Sequence, residues 1–212
     1  MSELIMLAMS GLAREVLAAV RSSGEYDVLG ILDDDPDLLG TSIDGTVVMG
    51  AITDAPAFNR ALFTVCLPGG REREALVERL SLLGVDEDRY ATVVDPGVRV
   101  PRDSRIGPGS IVMRNATIAP QASIGAHALL KPQVNVGCSV RVGDFATLSP
   151  RASVGEGARI GRAAELGMSA GVGDGLSVGD YSQIEMGAAV LQHVPERETW
   201  SGVPAQGTRT RT

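Results

Sequence analysis

A chain of 212 residues, 44% hydrophobic, 21% charged and only 3% aromatic, is long enough for one medium or two small units. Its core must be filled with aliphatic side chains. A net charge of −7 lacks the basic face of a nucleic-acid binder. No apolar run approaches the roughly 20 residues of a membrane-spanning helix, so neither nucleic acid nor membrane is expected as a partner.

Leu4 to Met9 is an apolar strand. Glu3 sits where a secretory leader would carry positive charge, so the segment reads as the first strand of a cytoplasmic chain. Ser10-Gly11 turns it, and Leu12, Val16, Leu17 and Val20 follow at helical spacing. Asp27 to Leu32 is a second strand, ending in Asp33-Asp34-Asp35, and Thr46 to Met49 is a third. Phe63 to Leu67 is a fourth, followed by Pro68-Gly69-Gly70. Arg71 to Leu83 is a helix with Leu76, Leu80 and Leu83 on one face. This alternation predicts a small parallel α/β sheet, a Rossmann-like unit over residues 1–95, with crevices at the strand ends.

Two turns of this unit carry candidate chemistry. A dinucleotide fingerprint would place three glycines after the first strand; only Gly11 matches. Free N–H groups at the helix start, beside Ser10 and Gly11, suit an anion. Asp33 and Asp34 follow about 22 residues later, near the spacing for a ribose hydroxyl. A plain turn with solvated acids is the other reading, and an NAD-dependent oxidoreductase would rest on this turn alone. In Gly69-Gly70-Arg71, the N–H groups and the guanidinium could hold phosphate, or the segment simply starts a helix.

The second half is periodic. Every sixth residue from Val100 to Val190 is Ile, Leu or Val. Two positions earlier the residue is usually small: Ala116, Ala122, Ala128, Ala146, Ala152, Ala158. Residues two apart in a strand share a face, so each unit sends one branched and one small side chain inward. Gly often follows the aliphatic position, as at Gly125, Gly143 and Gly161, where it suits a tight corner. Such short strands must stack as a solenoid. The hexad period is that of the left-handed parallel β-helix, an all-β prism with about five coils of about 18 residues, stacked about 4.8 Å apart. Residues 96–212 form this unit with a C-terminal tail, and the boundary falls near Asp95-Pro96.

At the polar corner phase stands a thiol, Cys138, with Glu156 one coil beyond on the same edge. The only histidines are His127 and His193, both expected at the surface. Lys131 is the only lysine, and Cys66 and Cys138 make no disulfide framework. No metal site is expected.

Six strings then carry a resemblance over almost the whole chain. They are Arg14-Glu15-Val16, Leu32-Asp33-Asp34, Val142-Gly143-Asp144-Phe145, Ser149-Pro150, Gly187-Ala188-Ala189-Val190 and Gly202-Val203-Pro204-Ala205. The sequence resembles the bacterial hexapeptide-repeat acetyltransferases of sialic acid and bacillosamine biosynthesis and their relatives acting on nucleotide-linked amino sugars. That resemblance implies a homotrimer with acetyl-CoA as co-substrate between adjacent prisms, near Thr147, Gly187 and Ala188. It also implies a small nucleotide-linked sugar held near Asp33 or Asp34.

The family's general base, a histidine, falls on Cys138, and the acid that orients it falls on Ser139. Two further family histidines fall on Thr147 and Asp95, and two glycines of the first turn on Ala8 and Ala13. A positioned base is worth about 10² to 10⁴ in rate. An amine acceptor depends on it less than a hydroxyl does, so an amine is the expected acceptor. A base supplied across the trimer by His127 or Asp95, a covalent role for Cys138, and a catalytically silent sugar-binding or scaffold homologue remain as alternatives.

Overall fold

The computed structural model describes residues 1–208; the end of the expected tail, 209–212, lies outside the described residues. The N-terminal part comprises β1 (Ser2–Leu7), α1 (Gly11–Ser23), β2 (Tyr26–Leu32), β3 (Ser42–Ile43), β4 (Thr46–Gly50), β5 (Leu62–Val65) and α2 (Gly70–Leu82). The sheet order is β3-β4-β2-β1-β5. All pairings are parallel except the short β3–β4 hairpin, which the apolar pattern did not announce.

Leu4 to Leu7 are wholly buried because both faces of β1 are covered. Leu4 and Met6 pack with Leu12, Val16 and Val20 of α1 and with Ile111 and Leu129 beyond it. Ile5 and Leu7 pack with Leu76 and Leu80 of α2. The expected helix over Arg71–Leu83 therefore buries Leu76 and Leu80, but not Leu83. The helix stops at Leu82, and Leu83 is its half-exposed cap.

The second half is a three-faced parallel β-helix. Face I holds strands from Arg105–Ile106 to Ser177–Val178, face II those from Ile111–Val112 to Thr199–Ser201, and face III those from Thr117–Ile118 to Ala189–Val190. Register is constant from coil to coil: Asn135 lies against Thr117 below and Ser153 above, and Val136 against Ile118 and Val154. The interior holds the predicted pairs, among them Ala116 with Ile118, Ala146 with Leu148 and Ala164 with Leu166. Rings are missing from this lumen until Trp200 at its end. The sequence phase begins before the walls do: Val100 is exposed and in no strand, and the first coil strand is Arg105–Ile106. A further strand, β6 (Val93–Val94), pairs with Ile111–Val112 and continues face II towards the N-terminal part.

The corner glycines serve a different purpose from the one expected. Gly143 does not need a left-handed backbone; a Cβ there would lie 2.7 Å from the Arg162 amide nitrogen of the next coil. The left-handed residue comes two places later and is often not glycine: His127 (φ 53°), Ser139 (φ 55°), Phe145 (φ 58°). Among the described residues no helix is long and apolar enough to cross a membrane.

Candidate functional site

At the carboxyl ends of β1 and β2 lies a crevice of about 460 Å³ whose wall includes Met9, Ser10, Asp33, Asp34 and Arg79. Ser10 caps α1, its Oγ accepting from the Leu12 and Ala13 amides at 3.1 and 3.4 Å and donating to Cys66 O at 2.5 Å. Those two N–H groups, which the sequence offered to an anion, are thus taken by the cap. Gly11 is exposed beside it, with open space where a Cβ would be. Ala8 takes a left-handed φ of 73°, a conformation that favours glycine and costs an alanine about 1–2 kcal/mol.

Asp33 closes the first turn. Its carboxylate accepts from Met9 N at 2.6 Å and Asp35 N at 2.9 Å. Asp34 accepts from Ile52 N at 3.1 Å and pairs with Arg79 at 2.5 Å. Both partners of that ion pair are about half exposed, so it is worth less than about 1 kcal/mol and is open to exchange with a ligand.

The second turn faces the prism instead of the crevice. The Gly70 amide donates to Glu165 Oε1 at 3.2 Å, so a carboxylate of face II already occupies the start of α2. Gly70 approaches so closely that a Cβ would collide with Phe145 O. Arg71 turns away as well, donating to Tyr181 O at 2.9 Å with its guanidinium 5.4 Å from the Tyr181 ring centre. Gly69 caps the helix between the two sides. Of the two readings of this segment, the contacts of Gly70 and Arg71 favour the plain helix start: both dock α2 on the prism.

The centre of that docking was missed. Arg73 is 1% exposed and carries no ion pair among the described residues. It donates to Leu67 O and Pro68 O in the turn, to His127 O, Phe145 O and Ala146 O in the prism, and to Thr147 Oγ1, all between 2.8 and 3.2 Å. Burial draws its guanidinium down to about 10, partly offset by Glu165 and Glu72. A sequence clue existed: position 73 shares the helical stripe of Leu76 and Leu80.

His127, expected at the surface, is 2% exposed. It does occupy an outward corner of the prism, but α2 and Tyr90 cover that corner. Its ring stacks on Phe145 at 5.0 Å and meets Tyr90 edge-on at 4.6 Å. Burial first, then Arg73, lowers its pKa to about 4. So enclosed, it cannot serve as a base across a trimer. Thr147, expected near the co-substrate, is also under the N-terminal part, its hydroxyl donating to Pro68 O at 3.2 Å. Ala188 points into the lumen, leaving Gly187 as the exposed member of that set.

Cys138 and Ser139 stand on the edge between faces III and I, which no other element among the described residues covers. Cys138 is half-buried and Ser139 exposed. Ser139 Oγ donates to Gln121 Oε1 of the coil below at 3.0 Å. Above, Gly157 N donates to Cys138 O at 2.8 Å, which sets Glu156 directly over the thiol's residue. Asp95 is tied to its own turn through Gly97 N at 2.9 Å. His193 is exposed near the far end of the Cys138 edge, its Nδ1 accepting from Ser177 N at 3.1 Å. Beside Cys138, on face III, runs a channel of about 470 Å³ lined by Gly137, Gly155, Gly171 and Gly173. Asn135, Ser153 and Leu191 also line it.

No protein-family model matches the chain, and no curated protein matches it. Solved structures do. The chain is similar to PerB from Caulobacter crescentus, solved in complex with CoA and GDP-perosamine, at 24% identity and a TM-score of 0.90, covering 99% of this chain and 98% of that one. The acetyltransferase domain of PglB from Neisseria gonorrhoeae aligns at 23% identity and a TM-score of 0.89 over 98% and 100% of the two chains. WeeI from Acinetobacter baumannii aligns at 22% identity and a TM-score of 0.81 over 97% and 99%. At these identities the likeness is one of fold, and it includes the left-handed β-helix expected from the hexads.

Proposed function

We propose that this chain is an acyl-CoA-dependent acyltransferase, in its simplest form an acetyltransferase, acting on the amine of a nucleotide-linked amino sugar. The observation that carries this reading is the end-to-end likeness to PerB, itself solved with CoA and GDP-perosamine, over 99% of this chain. Residues 1–95 act as a Rossmann-like holder of the nucleotide sugar, with Ser10, Gly11, Asp33 and Asp34 at its crevice. Residues 96–212 supply the acyl-transfer edge, and a cytoplasmic homotrimer brings one chain's crevice towards another's Cys138 edge.

The channel on face III suits acetyl-CoA. Gly137, Gly155, Gly171 and Gly173 leave room for an extended, narrow chain ending beside Cys138, and Gly187 is exposed on the adjacent edge. When bound, acetyl-CoA supplies the acetyl group as a thioester. The chain's own residues then hold the amine in line. Cys138 and Ser139 provide no imidazole at the position where the resembling family carries its base. An amine that is already neutral reacts by positioning, at a rate about 10² to 10⁴ below that of a base-assisted site.

The test is to incubate the protein with acetyl-CoA and a panel of GDP-, UDP- and dTDP-linked amino sugars and to detect N-acetylated product by mass spectrometry. Slow acetylation, accelerated in Cys138→His/Ser139→Asp, supports the reading. No product from either protein, with thermal stabilisation by a nucleotide sugar but none by CoA, would replace it with the silent, sugar-binding homologue. The absence of an imidazole at positions 138 and 139 is what favours that second reading.

A further inference from the structure

Along face I the outward positions fall in one column: Arg105, Ser123, Arg141, Arg159 and Ser177. Arg141 and Arg159 are direct neighbours in register on adjacent strands, their backbones about 4.8 Å apart, and both are exposed. Like charges set side by side in a sheet destabilise it. The chain holds 26 acidic residues, yet none forms an ion pair with Arg141 or Arg159 among the described residues. Stability of the fold therefore does not account for the pair, whereas an anion from outside would.

The pair adjoins the acyl-transfer edge. Arg141 lies two places after Ser139 on the same coil, and Arg159 one coil above. Glu156, set directly over Cys138, precedes Arg159 by three residues and is exposed. Glu156 and Arg159 do not pair with each other. The next carboxylate along the edge, Asp174, is engaged at the Glu156 amide, from which it accepts at 2.9 Å. One small area thus presents two guanidinium groups and a carboxylate held apart from one another. An amino sugar on a diphosphate carries the opposite charges: two anionic phosphoryl groups, and an amine that is in part an ammonium in water.

We propose that Arg141 and Arg159 bind the diphosphate of the acceptor, and so select a diphosphate-linked amino sugar over a free or monophosphorylated one. The inference rests on the acyltransferase reading above and names specificity residues for it. CoA carries a diphosphate too, but the long pantetheine arm separates that group from the thioester. With the thioester beside Cys138 and the arm in the face III channel, the phosphates of CoA lie several coils from Arg141. In a nucleotide-linked sugar the diphosphate is joined to the very ring that bears the amine. A diphosphate within one coil of the point of transfer is therefore the acceptor's. Guanidinium forks match phosphoryl oxygens two at a time, which gives the acceptor a fixed position as well as affinity.

The test is calorimetric titration of the full chain with GDP, UDP, dTDP, the matching monophosphates and CoA. Native protein is compared with Arg141→Gln/Arg159→Gln and with Arg105→Gln, which lies on the same face two coils below Arg141. The best-bound diphosphate is expected to bind the native chain at least about tenfold more tightly than its monophosphate, as charge-assisted bonds to the second phosphoryl group require. The double substitution removes that difference and leaves CoA within about twofold, while Arg105→Gln behaves as native. Melting temperature of the double variant holds or rises, because two like charges have gone. In the acetylation assay, KM for the nucleotide sugar rises by about tenfold while KM for acetyl-CoA holds, and Arg141→Lys/Arg159→Lys restores part of the loss. Equal diphosphate binding by the native chain and the double variant, an equal loss in Arg105→Gln, or a loss confined to CoA overturns the proposal and leaves the acyltransferase reading standing. Failure of the native chain to bind any of the nucleotides overturns both.

Discussion

Replacing Arg73 with Met keeps the volume of a buried side chain but removes all of that residue's donors to the turn after β5 and to the prism. The guanidinium serves six oxygen acceptors: two in the turn after β5 and four in the prism. Each acceptor left closed off from water costs about 1–3 kcal/mol. Against that, the charge itself is expensive to bury, as its fall to about 10 records; relief of that cost returns up to about 3 kcal/mol at about 1.4 kcal/mol per unit. The acceptors belong to one network and do not add. The net expectation is a loss of about 3–5 kcal/mol, the range for breaking a buried charged network, or about 10 °C in melting temperature for a chain of this size. Arg73→Lys recovers less than half, because three donors on one nitrogen cannot span acceptors on both sides. Urea unfolding followed by far-UV dichroism and by Trp200 fluorescence measures both variants. A loss below about 1 kcal/mol for Arg73→Met would refute the view that these bonds, instead of apolar contact alone, fix α2 on the prism.

Other expectations follow from single residues. His127 titrates near 4 in the folded chain, below its ordinary 6.5. The unfolded chain therefore binds the extra proton between these values, and stability falls as pH drops from about 6.5 to about 4, by up to about 3 kcal/mol. In His127→Phe, whose left-handed backbone Phe145 already tolerates one coil above, melting temperatures at pH 7 and 5 should differ less than in the native chain; an unchanged pH slope would count against it. Burial pushes the Cys66 thiol far above its usual range, whereas Cys138 is half-buried. Ellman's reagent should thus titrate one thiol per native chain and two in denaturant, and prompt reaction of both in the native chain would contradict the placement of Cys66. Gly70→Ala drives a Cβ into Phe145 O and should cost about 1–3 kcal/mol by the same unfolding assay, whereas Gly11→Ala, in open space, should change stability little.

The prism was legible because its rule is local. A coil can close only if every sixth residue fills the lumen, and Val112 to Val190 obey that rule in register. The strands of the N-terminal part were legible for the same reason, as runs of apolar residues between turn formers. What leans on the prism was not legible. Whether a corner residue such as His127 meets water depends on α2, whose contacts with it join residues more than fifty positions apart. No periodicity encodes that distance. The role of Gly70 and Arg71 stayed open for a related reason: an N-terminal turn that receives Glu165 has the same local sequence as one awaiting phosphate. The Ser10, Asp33 and Asp34 crevice gathered as its spacing suggested, because those residues end adjacent parallel strands.

The unbroken coil register also constrains how such a chain can change. Losing or gaining one hexapeptide upstream of Cys138 would turn every later edge by a third of a revolution. The thiol edge would swing out of line with the N-terminal part, and the seat now filled by Phe145 and Ala163 would present different side chains to Gly70 and Arg73. Only whole revolutions keep both alignments, so length variation in proteins built this way should come in multiples of eighteen residues ahead of the edge, and more freely beyond it.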